Sequence, residues 1–255
     1  MNCYLIISQS VKYYMQMTTL TIFLLTSFSM LTQCNTVSNT LPTSSDTNTI
    51  QVKKEEKKDT YRVAEYTKAN KLEKYNTAIF AGGCFWCTEA AFERIEGVVD
   101  VISGYTGGEE EYPDYAGVGR EETGHTEGIF IYYDSDVISY EKLLEILWVA
   151  HDPTTLNRQG PDRGPQYRSG VYYQTVSEKA LIDNSIEALQ ESKMYSDPVV
   201  TEVAPYMEFW VAEEYHQNFY ELHPNQGYVA NVSRPKVNKV VKAFPNLIKK
   251  KYKKS

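Results

Sequence analysis

The pattern of apolar and polar positions predicts a short apolar segment followed by a long polar one at the N-terminal end. Residues 20–31 form an apolar run, too short to cross a bilayer, which needs about 20 apolar residues. Such a run is typical of the hydrophobic region of an export signal. Residues 35–75 are rich in Ser, Thr, Asn, Lys and Glu and offer little to bury, which predicts a disordered tether.

From residue 76 onward the pattern switches between strand-like and helix-like periods. The predicted strands are 77–80, 98–103, 128–133, 169–174 and 199–206. The predicted helices are 84–95, 140–151 and 178–191, the last capped by Ser177. Strands and helices mixed without a strict repeat predict an α+β fold: one two-layer domain over 76–255, with helices packed on a mixed sheet.

Two further stretches, 105–126 and 152–167, contain many Gly and Pro residues and predict long loops. Loops of that length inside a compact domain are usually functional. We therefore expect the site chemistry to draw on both of them.

The net charge of the chain limits which kinds of binding partner are expected. The formal net charge of the 255-residue chain is -7, which argues against nucleic acid as a partner because phosphate binding needs a clustered basic surface. The basic cluster at 249–254 is at the extreme C-terminus. It is interpreted as a basic, solvated tail, with contact to an anionic membrane or a partner as the alternative.

The apolar run ends in Leu-Thr-Gln-Cys, which resembles the lipobox of bacterial lipoproteins and makes Cys34 a candidate for lipidation. Gln33 departs from the small residue usual before that cysteine, and translation starting at Met15 or Met17 is an alternative. We expect 1–34 to be an export signal with a lipobox, so that the protein is exported, as a membrane-anchored lipoprotein or a periplasmic protein.

Cys84 and Cys87 are close together in the sequence, and they lie where a predicted strand ends and a helix begins. Unpaired N–H groups and the helix dipole favour thiolate at that position, and thiolate is the nucleophile. Cys87 lies on the same helical face, so the pair is suited to attack by one sulfur and disulfide formation with the other. Half of a zinc site, a thioredoxin-like dithiol and two buried structural cysteines remain alternatives on this motif alone.

Several motifs together resemble the A-type peptide-methionine (S)-S-oxide reductases, the MsrA family, over residues 78–228. They are Gly83-Cys84-Phe85-Trp86 with Glu89, Gly124-His125-Thr126-Glu127, His151-Asp152-Pro153, Gln159-Gly160 with Asp162 and Gly164, Gln166-Tyr167-Arg168-Ser169, and Glu214-Tyr215-His216-Gln217. The resemblance implies a ferredoxin-like core, no metal and no cofactor. The substrate would be (S)-methionine sulfoxide, free or in oxidised proteins.

The resemblance also implies roles for individual residues. Cys84 would attack the sulfoxide sulfur, and Glu127 would donate the proton that the leaving oxygen requires. Tyr115 and Tyr167 match the two tyrosines that hold this oxygen. Phe85 and Trp86 match the aromatic wall around the S-methyl group, and Asp162 matches a residue that orients the substrate through solvent. We interpret Glu89 as a complement to the helix dipole and His216 as a structural histidine.

Position 87 departs from the family pattern, since many members have glycine there and resolving cysteines near the C-terminus. No cysteine follows Cys87 in this chain, so we expect the disulfide to form within Cys84–Cys87 and to be recycled by thioredoxin or a thioredoxin-like reductant. We expect a monomer, reaching a membrane only through N-terminal lipid. A general thiol–disulfide oxidoreductase and an inactive surface lipoprotein that serves as a binding module are the alternative functions.

Overall fold

The structure is a computed structural model and describes residues 58–253. The expected export signal 1–34, the lipidation candidate Cys34 and the tether segment 35–57 lie outside the described residues. Within 58–253 no helix is both long enough and apolar enough to cross a membrane.

A seven-stranded sheet organises the fold, in the order β1-β9-β3-β4-β2-β7-β8. Its strands are β1 Tyr61–Arg62, β2 Asn76–Gly82, β3 Val98–Thr106, β4 Thr126–Tyr133, β7 Ser169–Tyr173, β8 Glu202–Pro205 and β9 Phe209–Val211. Strands β5 Arg158–Gln159 and β6 Asp162–Arg163 form a separate two-stranded ribbon. The β7–β8 pair is parallel and the other pairs are antiparallel, so the sheet is mixed.

Helices connect these strands. They are α1 Val63–Asn70, α2 Phe85–Glu93, α3 Tyr115–Gly119, α4 Tyr140–Ala150, α5 Val176–Glu191, α6 Phe219–Leu222 and α7 Arg234–Ala243. Short 3-10 segments occur at Pro165–Tyr167, Glu214–His216, Pro245–Leu247 and Lys250–Tyr252, and a π-helical turn at Val229–Ser233 leads directly into α7.

The order β2-α2-β3-β4-α4-β7 along the chain, with β3-β4-β2-β7 across the sheet, is a ferredoxin-like core. The predicted α+β fold is confirmed.

The main hydrophobic core lies between the sheet and the helices and contains Phe80, Phe92, Ile129, Leu147 and Val240, all fully buried. Each such side chain stabilises the fold by about 1.5–3 kcal/mol relative to exposure.

The prediction of a tether was wrong for residues 58–75. In that segment β1 pairs with β9, and Val63 and Leu72 are buried in a second cluster on the other face of the sheet. The Thr67 hydroxyl hydrogen-bonds the Tyr132 hydroxyl at 2.6 Å. Few apolar residues suffice here because the sheet already presents an apolar face, which local composition does not reveal.

Two predicted elements differ from the structure in their cap or bounds, and one helix was not predicted. Helix α5 is capped by Thr175, whose hydroxyl accepts from the Glu178 N–H at 3.1 Å, rather than by Ser177. The strand predicted over 199–206 is shorter, and helix α7 was not predicted.

The C-terminal basic cluster begins on the folded domain and not as a free tail. Ile248, directly before the cluster, is buried and forms an isolated antiparallel bridge with Ile95. The Lys249 N–H donates to the Arg94 carbonyl at 2.8 Å. The interpretation of 249–254 as a solvated tail was therefore wrong for its first residue, which backbone pairing holds against the end of α2.

Candidate active site

A sharp turn carries the chain from β2 into α2 and brings Cys84 to the start of the helix. Gly83 adopts φ +82, and a Cβ atom there would lie 2.5 Å from the Gln159 side chain. Glycine meets both demands because it lacks a Cβ. Cys84 is the N-cap residue of α2, at the strand-to-helix junction where the sequence predicted it.

The helix start opens into a cavity of about 250 Å³. Its lining residues are Cys84, Phe85, Trp86, Tyr115, Glu127, Asp162, Tyr167, Gln226 and Tyr228. The structure therefore brings every predicted site residue of the folded part to this cavity except Cys87. Gln226 and Tyr228 were not predicted, although the Gly-Tyr pair at 227–228 is visible in the sequence.

Glu127 is a buried carboxyl group on β4 beside the thiol. Its Oε2 accepts a hydrogen bond from the Phe85 N–H at 3.0 Å. Burial raises the pKa of Glu127 to about 8, and the charge of Asp162 adds to the rise, while the Phe85 hydrogen bond opposes it. Burial disfavours the charged form, so Glu127 holds its proton at neutral pH and can donate it.

Tyr115 and Tyr167 bring phenol groups to the same cavity from two separate loops. The Asp114 side chain caps α3 through the Gly117 N–H, and the Tyr115 N–H donates to Glu213 Oε1 at 2.9 Å. Burial raises the pKa of Tyr115 to about 12 and also raises the pKa of Tyr167, with the charge of Glu127 as the next cause in both. Both hydroxyls stay protonated and can donate hydrogen bonds into the cavity.

Trp86 forms an aromatic wall that other aromatic rings hold in place. Its ring stacks on Phe219 with centroids 3.8 Å apart, and Tyr228 meets it edge-on. The Trp86 Nε1–H donates to His216 Nδ1 at 3.1 Å. Burial lowers the pKa of His216 to about 4, so the ring is neutral and Nδ1 is free to accept. His216 thus orients Trp86, a role that sequence reasoning did not assign.

The two thiols are both buried, and each one shifts the pKa of the other. Burial raises the pKa of Cys84, and the hydrogen bond with Cys87 raises it further, while the Tyr228 hydroxyl lowers it. The same hydrogen bond lowers the pKa of Cys87. The two pKa values therefore move in opposite directions, whereas the sequence predicted a stabilised thiolate at Cys84 from its helix position alone.

Asp162 and Tyr228 close another side of the cavity. The Tyr228 hydroxyl donates to Asp162 Oδ2 at 2.5 Å. Burial raises the pKa of Tyr228, and the charges of the cysteine pair add to the rise. The carboxylate is therefore held by a neutral phenol that also reaches the Cys84 sulfur.

Other motif residues fasten the loops that carry the site. The Gln159 side-chain amide accepts from the Asp152 N–H at 3.0 Å and donates to the Asp152 carbonyl at 2.9 Å. Arg168 pairs with Glu202 at 2.5 Å and donates to the Gly124 carbonyl at 3.1 Å. These contacts fix parts of the loops 105–126 and 152–167, so motif residues that do not line the cavity still shape it.

Glu89 is a second buried carboxyl group, which the sequence had assigned to the helix dipole. It lies 1% exposed, and its Oε1 accepts from the Asn218 N–H at 2.9 Å. Burial raises the pKa of Glu89 to about 8, as for Glu127. Because it does not line the cavity, its role is to anchor the backbone at Asn218, which has φ 55.

No group of three or more His, Cys, Asp or Glu side chains within residues 58–253 is arranged to hold a metal ion. The polar side chains at the cavity are instead proton donors and hydrogen-bond donors grouped around a thiol pair. This set is suited to nucleophilic attack by sulfur on a polar group whose oxygen must be protonated.

Comparisons with known proteins agree on one family. The family model described as peptide methionine sulfoxide reductase matches residues 76–247. The MsrA 1 protein of Rhodopirellula baltica is 49% identical over 172 residues, covering 68% of this chain and 88% of that protein. The MsrA protein of Natronomonas pharaonis is 49% identical over 168 residues, covering 66% and 94%.

Two solved structures are similar to this chain in fold and sequence. The reduced form of Mxr1 from Saccharomyces cerevisiae is 34% identical, with a TM-score of 0.56 over 61% of this chain and 89% of that one. Methionine sulfoxide reductase A of Corynebacterium diphtheriae is 29% identical, with a TM-score of 0.52 over 58% and 74%.

Proposed function

The chain belongs to the peptide methionine sulfoxide reductase family, and from this premise we infer that it uses Cys84 to reduce (S)-methionine sulfoxide to methionine. It is an oxidoreductase that acts on methionine sulfoxide. Free and protein-bound sulfoxide are both substrates in this proposal, which makes the enzyme one of protein repair after oxidation.

In the first step the Cys84 sulfur attacks the sulfoxide sulfur. The oxygen leaves the methionine sulfur as hydroxide with the proton of Glu127, while a bond forms between the two sulfurs. Attack of this hydroxide on the Cys84 sulfur then breaks the S–S bond, so that methionine is released and Cys84 becomes a sulfenic acid. Tyr115 and Tyr167 donate hydrogen bonds to that oxygen as charge develops on it. Phe85 and Trp86 receive the S-methyl group.

In the second step the Cys87 sulfur attacks the sulfenic sulfur of Cys84. A Cys84–Cys87 disulfide forms and the oxygen leaves as water. A thioredoxin-like dithiol then reduces this disulfide by exchange. The support is that these are the two thiols of the part of the chain that the structure describes, and that each shifts the pKa of the other.

We extend the proposal to location. The apolar run at 20–31 and the cysteine at 34 support export with lipid on Cys34 and a tether that keeps the domain at a membrane surface. The reductant is then a thioredoxin-like protein in the same compartment.

Two further parts complete the proposal. The enzyme acts as a monomer, and Asp162 orients the substrate.

The observation that carries the proposed function is the single cavity of about 250 Å³ in which a thiol, a protonated carboxyl group and two phenols meet. Each of these groups serves a separate demand of sulfoxide reduction. A general dithiol oxidoreductase would need the two cysteines but none of the proton donors.

The test is reduction of a peptide containing (S)-methionine sulfoxide by the purified full chain with dithiothreitol. We expect turnover in the wild type and none in Cys84→Ser, because serine has no nucleophilic thiolate. Insulin reduction measured in parallel provides the contrast. A folded wild type that reduces insulin but not the sulfoxide would overturn the proposal.

A further inference from the structure

The π-helical turn at Val229–Ser233 lies beside the helix that carries the cysteines and has no part in the steps above. Ser233 is fully buried, and its Oγ accepts a hydrogen bond from Cys87 Sγ at 3.2 Å. Once the thiol ionises, the Ser233 hydroxyl can rotate and donate to the sulfur. A π turn inserts one residue into a helix and occurs often at functional sites. Here the turn brings a hydroxyl group to the sulfur of Cys87 rather than to that of Cys84.

Lys236 follows Ser233 by three residues on α7 and therefore lies on the same face of the helix. Its Nζ is buried and makes no hydrogen bond to any residue in 58–253. It pairs with Asp162 Oδ2 at 3.9 Å, too long for a hydrogen bond, and that oxygen already accepts from Tyr228. A buried ammonium group with so little compensation is costly unless another anion forms next to it.

The candidate for that anion is Cys87, whose sulfur lies against Ser233, one helical turn before Lys236. Cys84 is the largest cause that lowers the pKa of Cys87; the charge of Lys236 and the Ser233 hydroxyl lower it further, and burial and Asp162 oppose them. Glu127 from β4 and Tyr228 also face the thiol pair, and His151 at the end of α4 faces Lys236. Glu127, Tyr228 and His151 are neutral near pH 7, because burial raises the first two pKa values and lowers the third.

We propose that Ser233 and Lys236 form a thiolate-binding site for Cys87, which makes Lys236 a positioning residue for disulfide formation. This inference rests on the proposed function and adds residues to its second step. The Cys87 thiolate attacks the sulfenic sulfur of Cys84, the S–S bond forms as the S–O bond breaks, and the hydroxide that leaves takes up from solvent the proton that Cys87 had released, so that water is the product. Cys84 no longer carries its thiol hydrogen at that stage, so Ser233 and Lys236 must stabilise the thiolate.

The test is a single turnover of the full chain with excess sulfoxide peptide and no reductant, run at a series of pH values. Samples are quenched with dimedone, which traps sulfenic acid, and intact mass separates the trapped form from the disulfide. Methionine released in the same samples measures the first step. The two steps are therefore read independently.

For Lys236→Met we expect the rise of disulfide formation with pH to move upward by about one unit, and the rate at neutral pH to fall about tenfold, since one pKa unit changes the thiolate fraction tenfold. Lys236→Arg should restore most of the rate because it restores the charge. Lys242→Met is the matched control, since Lys242 is an exposed lysine of the same helix. It should match the wild type.

An unshifted pH profile in Lys236→Met, with normal methionine release, would overturn the inference. If Lys236→Met does not fold, Ser233→Ala takes its place with a smaller upward shift expected, and no shift would again overturn it. Absence of methionine release in the wild type would instead overturn the proposed function, so the two failures are distinguishable.

Discussion

The groups around Cys84 fall into two sets. On the β4 side, Glu127, Tyr115 and Tyr167 line the cavity and hold their protons, whereas on the α7 side, behind the cavity lining, the thiol of Cys87 loses one more readily. The pKa of Glu127 moves from 4.5 to about 8 through burial. The pKa of Cys87 moves down from 9.0 through the hydrogen bond of Cys84 and the nearby Lys236 and Ser233. A carboxylic acid and a thiol of very different ordinary strength are thereby brought toward the same pH range.

The difference teaches that this site is divided by its environment rather than by its residue types. At Glu127 burial outweighs the Phe85 N–H and the charge of Lys236, so the proton stays on oxygen, which suits donation to a leaving oxygen. Burial next to a cation and a hydroxyl group removes a proton from sulfur, which suits nucleophilic attack. Substitutions in each of the two sets of residues test this difference.

The largest effect is expected from Cys87→Ser, which removes the resolving thiol on the α7 side. Recycling by thioredoxin should stop, because serine cannot form the disulfide. One methionine per enzyme should still appear in a single turnover, since the β4 side is intact. Steady-state turnover with thioredoxin, measured beside turnover with dithiothreitol, checks this, because the small dithiol can reduce the sulfenic acid directly. Normal recycling by thioredoxin would exclude Cys87 as the resolving thiol.

The next largest effect is expected from Glu127→Gln, which removes the proton donor on the β4 side. The rate of methionine release should fall about 10²–10⁴-fold. In the wild type the rate should decline as pH rises through about 8, because the carboxyl group loses its proton there. That alkaline limb should vanish in the variant. Single-turnover rates measured at pH values on both sides of that midpoint report both effects.

Glu89→Gln is the matched control for this substitution. It makes the same chemical change at another buried carboxyl group whose pKa is also raised to about 8, but outside the cavity. The alkaline limb should persist in Glu89→Gln. If the limb disappears there and remains in Glu127→Gln, the assignment of the acid is wrong.

The smallest effect is expected at the aromatic wall that both sides share. His216→Leu leaves the Trp86 Nε1–H without its acceptor, at a cost of about 1–3 kcal/mol. We expect KM for the sulfoxide peptide to rise by about tenfold, which corresponds to about 1.4 kcal/mol, with a smaller change in kcat. His216→Asn offers a side-chain oxygen near the place of Nδ1 and should recover most of the binding. Steady-state kinetics of both variants decide whether the hydrogen bond matters.

Much of the fold follows from local patterns. The predicted strand 77–80 lies inside β2 and the predicted helix 140–151 matches α4 within one residue, because an apolar run ending in glycines and an amphipathic period are local signals. Helix α1 was missed because its segment is polar overall and is stabilised by a sheet face formed far along the chain. Ser177 and Thr175 are both suitable caps, and only the path of the backbone selects Thr175.

The sequence by itself determined which groups can react: two thiols three residues apart at a strand-to-helix turn, and a motif set that predicts their neighbours at the cavity. Only the tertiary structure decided which of those groups hold protons, and it added Tyr228, Ser233 and Lys236 from the C-terminal part of the chain. The physical reason is that a pKa depends on burial and on charges close in space. Cys87 and Ser233 are 146 positions apart in sequence and 3.2 Å apart in the fold.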